Sequence, residues 1–231
     1  MPTGNHAERY HRHQLETPAW KIERQRKLKR RVFETFSMWL RSSGLPPLGP
    51  GRKVVDLGSG AGTFVECCRE EGIDARGIDI SDGINLETDD LPIASDSVDV
   101  VTAISVLEHL RSPEKMLSET MRILKPEGAV ILVCPNWKYS VKTFFDDPTH
   151  VHPYTPGSMR QVLAMYGFEA VEVAPWLVKK PAWMWFLRWR FFVAFRVLPF
   201  RGDAPRWIPG FLKGRSSSLL AIGRKARKTD R

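Results

Sequence analysis

Residues 54–64 read Val54-Val55-Asp56-Leu57-Gly58-Ser59-Gly60-Ala61-Gly62-Thr63-Phe64. A short apolar run of strand type enters a loop with three alternating glycines, and a helical pattern follows from Thr63 to about Glu71. Glycine lets a backbone turn sharply and approach a ligand without a Cβ clash. The helix start behind such a loop offers free N–H groups and the positive end of a dipole. Gly77-Ile78-Asp79-Ile80 ends the next strand, 75–80, with an acid 17 residues beyond Gly62. An acid there suits a ribose diol lying in the crevice at the carboxyl ends of the strands.

Outward from this unit the alternation continues. Val98–Ser105 and Ala129–Cys134 are apolar on both faces, and Pro113–Leu124 between them is amphipathic, stopped by Lys125-Pro126-Glu127-Gly128. Ser158–Tyr166 is a later helix closed by Gly167, and Phe168–Val173 and Ser218–Gly223 read as two final strands. Strands buried on both faces and separated by helices predict a parallel sheet covered on both sides. Upstream, Ala19–Ser43 has a helical pattern, with Trp20, Ile22, Leu28, Val32, Phe36, Met38, Trp39 and Leu40 among Lys and Arg. The expected organisation is a basic tail and helix over 1–44, then one domain over 45–231 with an aromatic, basic insertion at about 176–213.

The Gly-x-Gly-x-Gly spacing differs from the Gly-x-Gly-x-x-Gly of NAD and FAD sites. With an acid, Asp56, at the end of the strand before the loop, it resembles class I S-adenosylmethionine-dependent methyltransferases. The resemblance extends through Asp90-Leu91-Pro92-Ile93, Ser97–Val101, Val106-Leu107-Glu108-His109-Leu110 and Arg122–Val130, over about residues 50–175 and again near Ser218–Lys225. It implies an α/β, Rossmann-like sheet, mostly parallel with an antiparallel last strand and helices on both faces. The implied cofactor is S-adenosyl-L-methionine. Gly58, Ser59, Gly60 and Gly62 would form the loop around its methionine end, and Asp56 would order that loop or meet the amino group through water. Asp79 would take the ribose hydroxyls. Asp89, Asp90 and Leu91 would border the adenine, and Ser105 would sit beneath the cofactor. One departure stands out: only twelve residues lead from Asp79 to Leu91, room for a loop and a very short strand, so Glu87 is an alternative adenine-side acid.

Methyl transfer from a sulfonium needs alignment and, for a hydroxyl acceptor, a base. The segment after the fifth strand of the family's sheet carries acceptor contacts. Here it holds Asp147, His150, His152 and Tyr154 in a proline-bounded loop. His150 or His152 is the candidate base because imidazole titrates near neutral pH, and Asp147 is the residue that would orient it. His109 reads as structural. No metal-ligand set is expected: Cys67, Cys68 and Cys134 form no Cys-x-x-Cys, which also argues against a disulfide framework and for a reducing compartment. His6, His11 and His13 read as a solvated tail.

Charge is divided by region. Residues 1–31 carry +6, 32–178 carry −9 and 179–231 carry +12. Five of the eight tryptophans, Trp176, Trp183, Trp185, Trp189 and Trp207, lie in the insertion among Arg and Lys. That composition suits an anionic membrane surface; a lid or dimer interface and a nucleic-acid surface are the other readings. With neither a signal-peptide core at the start nor a charge-free apolar stretch of about 18 residues, a cytoplasmic protein held peripherally on a membrane is expected. The function expected is O-methylation of a small or lipid-linked acceptor of glycan or isoprenoid type. RNA methylation and a non-catalytic methyltransferase-like scaffold are the alternatives.

Overall fold

The computed structural model describes residues 19–176, 200–201 and 213–227. Helix α1, Ala19–Ser42, is followed by strand β1, Lys53–Leu57, helix α2, Thr63–Glu70, and strand β2, Asp74–Ile78. Then come β3, Val98–Ile104, α3, Glu114–Ile123, and β4, Leu124–Pro135. A one-turn helix α4, Trp137–Ser140, and helix α5, Pro156–Met165, precede β5, Phe168–Trp176. Within the insertion, Phe200–Arg201, β6, pairs with Lys213–Arg215, β7, and β8 is Ser218–Lys225.

The main sheet has the order β2-β1-β3-β4-β8-β5. The first four strands run parallel, and β8 pairs antiparallel with both β4 and β5. Val54, Val55, Val100, Val101, Ile131 and Leu132 are all buried, as two-faced apolar strands require. Side chains alternate across each strand, so the sheet divides the core in two. One half holds Val55, Val101, Leu132, Met116 and Leu163. The other holds Val54, Val100, Ile131, Phe64 and Leu220.

Helix α1 belongs to this second half. Val32, Phe36, Trp39 and Leu40 recur at helical spacing and are buried with Val54, Phe64 and Cys68. The Phe36 ring lies 5.6 Å from Phe64, edge to face, and 6.0 Å from Trp176. The helix set apart by composition thus shares the domain's core. Arg26 and Arg30 on its outer side pair with Glu70 and Glu71 at the end of α2.

Three local expectations are corrected. No strand forms between Asp79 and Leu91; Ile80–Asp82 is a 3-10 turn and the rest is loop, so β2 ends the sheet. Strand β4 begins at Leu124 rather than Ala129, because Leu124 pairs with Val98 and the chain bulges before Ala129 meets Val100. Trp176, assigned to the interfacial insertion, is 3% exposed and ends β5 inside the core. The other four insertion tryptophans and the three N-terminal histidines lie outside the described residues. Replacing the fully buried Phe36 with Ala is expected to cost about 3–5 kcal/mol of stability, read by urea denaturation.

Candidate active site

The glycine loop sits at the carboxyl end of β1, as a strand-to-helix turn. Gly58 N and Ser59 N both donate to Ile78 O, at 2.8 and 3.3 Å, which ties the loop to β2. Gly58 has φ +68°, and a Cβ there would lie 2.3 Å from Val106 Cγ2. Both the backbone and the neighbour demand glycine. A Cβ built on Gly60, φ +54°, meets no atom within 4 Å. That open space is a cradle into which a ligand fits. It opens on a cleft of about 200 Å³ lined by Ser59, Gly60, Gly62, Asp79, Ser81 and others.

Asp79 follows β2 directly and is 6% exposed. Its Oδ2 accepts from Gly60 N at 2.9 Å, and its Oδ1 accepts from Ser81 N at 3.3 Å. A carboxylate oxygen has two lone pairs, so this clasp on the loop leaves capacity for ribose hydroxyls. Asp56 lies below, 2% exposed on β1, and accepts from Thr102 Oγ1 at 2.6 Å. Burial pushes its carboxyl up to about 6, opposed by the Lys29 charge and the Thr102 bond. Ser105 follows β3 in the left-handed region, φ 59°, exposed at the same end of the sheet.

The adenine side departs from the family pattern. Asp89 is engaged by its own turn, accepting from Asn85 N and Thr88 Oγ1, each at 2.8 Å. Asp90 is largely exposed and pairs with Lys115. Leu91 is buried, its N–H bonded to Glu119 Oε2 at 2.7 Å. Glu87 braces the backbone beyond β3 instead, its Oε1 accepting from Arg111 N and Ser112 N. None of the four lines the cleft beside Asp79.

The acceptor-side loop is sewn to the turn after β3. Glu108 O accepts from Val151 N at 2.8 Å and His152 N at 3.1 Å. Trp137 N donates to Tyr154 O, and Asn136 bridges to Tyr154. Asp147 Oδ1 accepts from Thr149 N and Thr149 Oγ1, and its Oδ2 lies 3.9 Å from His150 Nε2. The His150 ring sits 4.8 Å from His109, and His152 stacks on Tyr154 at 4.6 Å.

Glu108 and His109, on the turn Leu107–His109, join this cluster. The Glu108 side chain is buried, its Oε2 has no hydrogen-bond partner, and burial pushes its carboxyl up to about 8. Burial and the neighbouring His150 hold His109 below the usual imidazole range. Sequence reasoning left Glu108 without a role. Its one signal was an acid in an otherwise apolar run that leaves a buried strand.

This sheet order, with a glycine loop after β1 and an acid after β2, is the Rossmann-like arrangement of class I S-adenosylmethionine-dependent methyltransferases. Residues 20–173 match the profile described as a methyltransferase domain, and the chain belongs to that family. A methyltransferase of Mycobacterium leprae without an assigned substrate is 28% identical over 116 residues, 43% of this chain and 42% of the relative. The demethylmenaquinone methyltransferase of Renibacterium salmoninarum is 31% identical over 97 residues, 36% of this chain and 41% of that protein. The chain thus spans less than half the length of these curated relatives. A crystal structure of an S-adenosylmethionine-dependent methyltransferase from Archaeoglobus fulgidus aligns with TM-score 0.53 at 23% identity, covering 84% of this chain and 94% of that one.

Calorimetry with S-adenosylhomocysteine tests the cradle. Gly58→Ala is expected to weaken binding by about 10-fold or more, since an unfavourable left-handed residue costs about 1–3 kcal/mol, and Asp79→Ala is expected to weaken it strongly by removing the carboxylate that clasps Gly60 N. Asp56 gives a pH signature. Its folded-state pKa is about 6 against an ordinary 3.8, so the folded chain holds the proton more tightly. This contribution is complete below pH 3.8 and is lost as pH rises through about 6. Asp56→Asn keeps an acceptor for Thr102. Between pH 4 and 7 the variant should therefore gain on the wild type by up to about 3 kcal/mol, read by denaturant titration at each pH.

Proposed function

We propose that this chain methylates a hydroxyl oxygen of a small or lipid-linked acceptor, of glycan or isoprenoid type. The observation that carries the reading is the loop 147–154, which carries His150 and His152 and is held by Val151 N and His152 N on Glu108 O, at the end of the sheet that also holds the glycine loop. When bound, S-adenosylmethionine supplies a methyl group already activated by its positive sulfur. The chain's own work is to hold, align and deprotonate. Gly60 and Asp79 shape the cradle, and Asp56 holds negative charge beneath it once ionised. His152 receives the hydroxyl proton as the oxygen forms its new bond to carbon, while the electron pair of the broken carbon–sulfur bond stays on sulfur. Asp147 orders the loop through Thr149 and stands beside His150.

The match to a demethylmenaquinone methyltransferase supports the isoprenoid-type acceptor. So do the exposed Val141, Phe145 and Val151 around the loop, apolar surface that suits a lipid tail. The basic, Trp-rich stretch 176–213 supports a peripheral membrane position, each basic residue near an anionic leaflet being worth roughly 1 kcal/mol. No helix among the described residues is long and apolar enough to cross a membrane.

Tritiated-methyl transfer is expected to label lipid extracts. Label confined to RNA would instead favour the reading that rests on the basic ends. His152→Ala should lower transfer by about 10²–10⁴-fold with S-adenosylhomocysteine affinity unchanged. Wild type should pellet with anionic vesicles more than with neutral ones, and replacing Trp183, Trp185 and Trp189 with Ser should release it. A dimer dissociated by the same changes would make the insertion an oligomer interface.

A further inference from the structure

We propose that Glu108, His109 and His150 form a binding site for a divalent transition-metal ion of the zinc or cobalt type. A ligating atom from each of the three lies within 4.8 Å of the other two. A tetrahedral ion with bonds of about 2.0–2.1 Å would draw such atoms to about 3.3 Å apart. The movement required is on the order of an ångström per ligand.

The hydrogen-bond network fixes the tautomers. His150 Nδ1 lies 2.6 Å from Phe144 O, and a carbonyl only accepts, so Nδ1 carries the proton. Thr149 Oγ1 gives its single proton to Asp147 Oδ1 at 2.6 Å. It therefore accepts from His109 Nδ1 at 2.8 Å, and that nitrogen is protonated too. Both imidazoles keep their lone pair on Nε2. A ligating histidine held by its second nitrogen against a carbonyl or a carboxylate-linked group is the usual support of a metal site.

Glu108 gives the independent observation. It is 1% exposed, and although Ser105 hydrogen-bonds the carboxyl, its Oε2 has no hydrogen-bond partner. As a carboxylate such a buried oxygen is costly, which is why the acid holds its proton; a divalent cation would displace that proton and meet the charge. Two imidazole nitrogens and one carboxylate suit a borderline divalent ion better than magnesium or calcium. Three protein ligands also leave coordination positions open. An acceptor hydroxyl binding there would become more acidic before it gives its proton to His152. The ion's role, though not its binding, rests on the hydroxyl-acceptor reading above.

The test uses the full chain, dialysed against chelator and titrated with zinc chloride and, separately, cobalt chloride. One equivalent should bind and survive gel filtration by metal analysis, and cobalt should show the visible absorption of a low-symmetry site. His109→Ala and His150→Ala should weaken zinc binding by at least about 100-fold, while His152→Ala retains the equivalent. Glu108→Gln should do the same as His109→Ala; because Glu108 is buried, S-adenosylhomocysteine binding serves as the check that each variant is folded. Binding below one equivalent, or binding unchanged in folded His109→Ala, overturns the site. Methyl transfer that persists undiminished in chelator overturns the ion's role and leaves the acceptor reading standing. A full equivalent of zinc without transfer to any hydroxyl acceptor keeps the site and ends that reading.

Discussion

Gly58 and Val106 occupy space that only a glycine leaves free. The loop after β1 and the turn after β3 interlock there, with no room for even one carbon between them. Those two segments carry different chemistry. The first forms the cradle of Gly60 and Asp79; the second leads within two residues to Glu108, whose carbonyl suspends the loop of His150 and His152. One steric constraint therefore sets the glycine loop against the turn that carries the histidine loop. The adjacency of β1, β3 and β4 in the sheet brings the three segments to a common edge.

Burial organises the charges around this edge. Asp56 and Glu108 are both acids at or just beyond buried strands, and burial raises both, to about 6 and about 8. Asp56 has Thr102 as a donor, whereas Glu108 Oε2 has none.

Much of this was legible in the sequence, for reasons that can be named. Strands buried on both faces have no amphipathic ambiguity, and glycines at positive φ mark a tight loop, so Val54–Gly62 and Val98–Ile104 were readable. Asp79 was legible because it closes a strand. Other features depend on contacts distant in sequence. The contact of His109 with Thr149 in the loop after β4 spans 40 residues, and spacing could not show it. Trp176 adjoins the insertion and shares its aromatic character, and its burial at the end of β5 against the Phe36 ring of α1 depends on a contact distant in sequence. Asp89, Asp90 and Glu87 share one short acidic run, and which backbone groups each one holds could not be read from spacing.

The missing strand between Asp79 and Leu91 leaves β2 at one border of the sheet among the described residues, with β5 at the other. A border strand presents unpaired backbone groups to which another chain can add. Strand β2 has only five residues, with Asp74 and Arg76 on it, and Arg76 reaches to Pro92 O in the segment that replaces the absent strand. Strand β5 breaks its ladder with a bulge between Glu169 and Glu172 and carries Pro175 near its end. Shortness, charge, a bulge and a proline each discourage edge-to-edge growth. A sheet reduced to six strands is thereby kept from recruiting a seventh from a neighbouring molecule, and the economy on the adenine side does not become a route to aggregation.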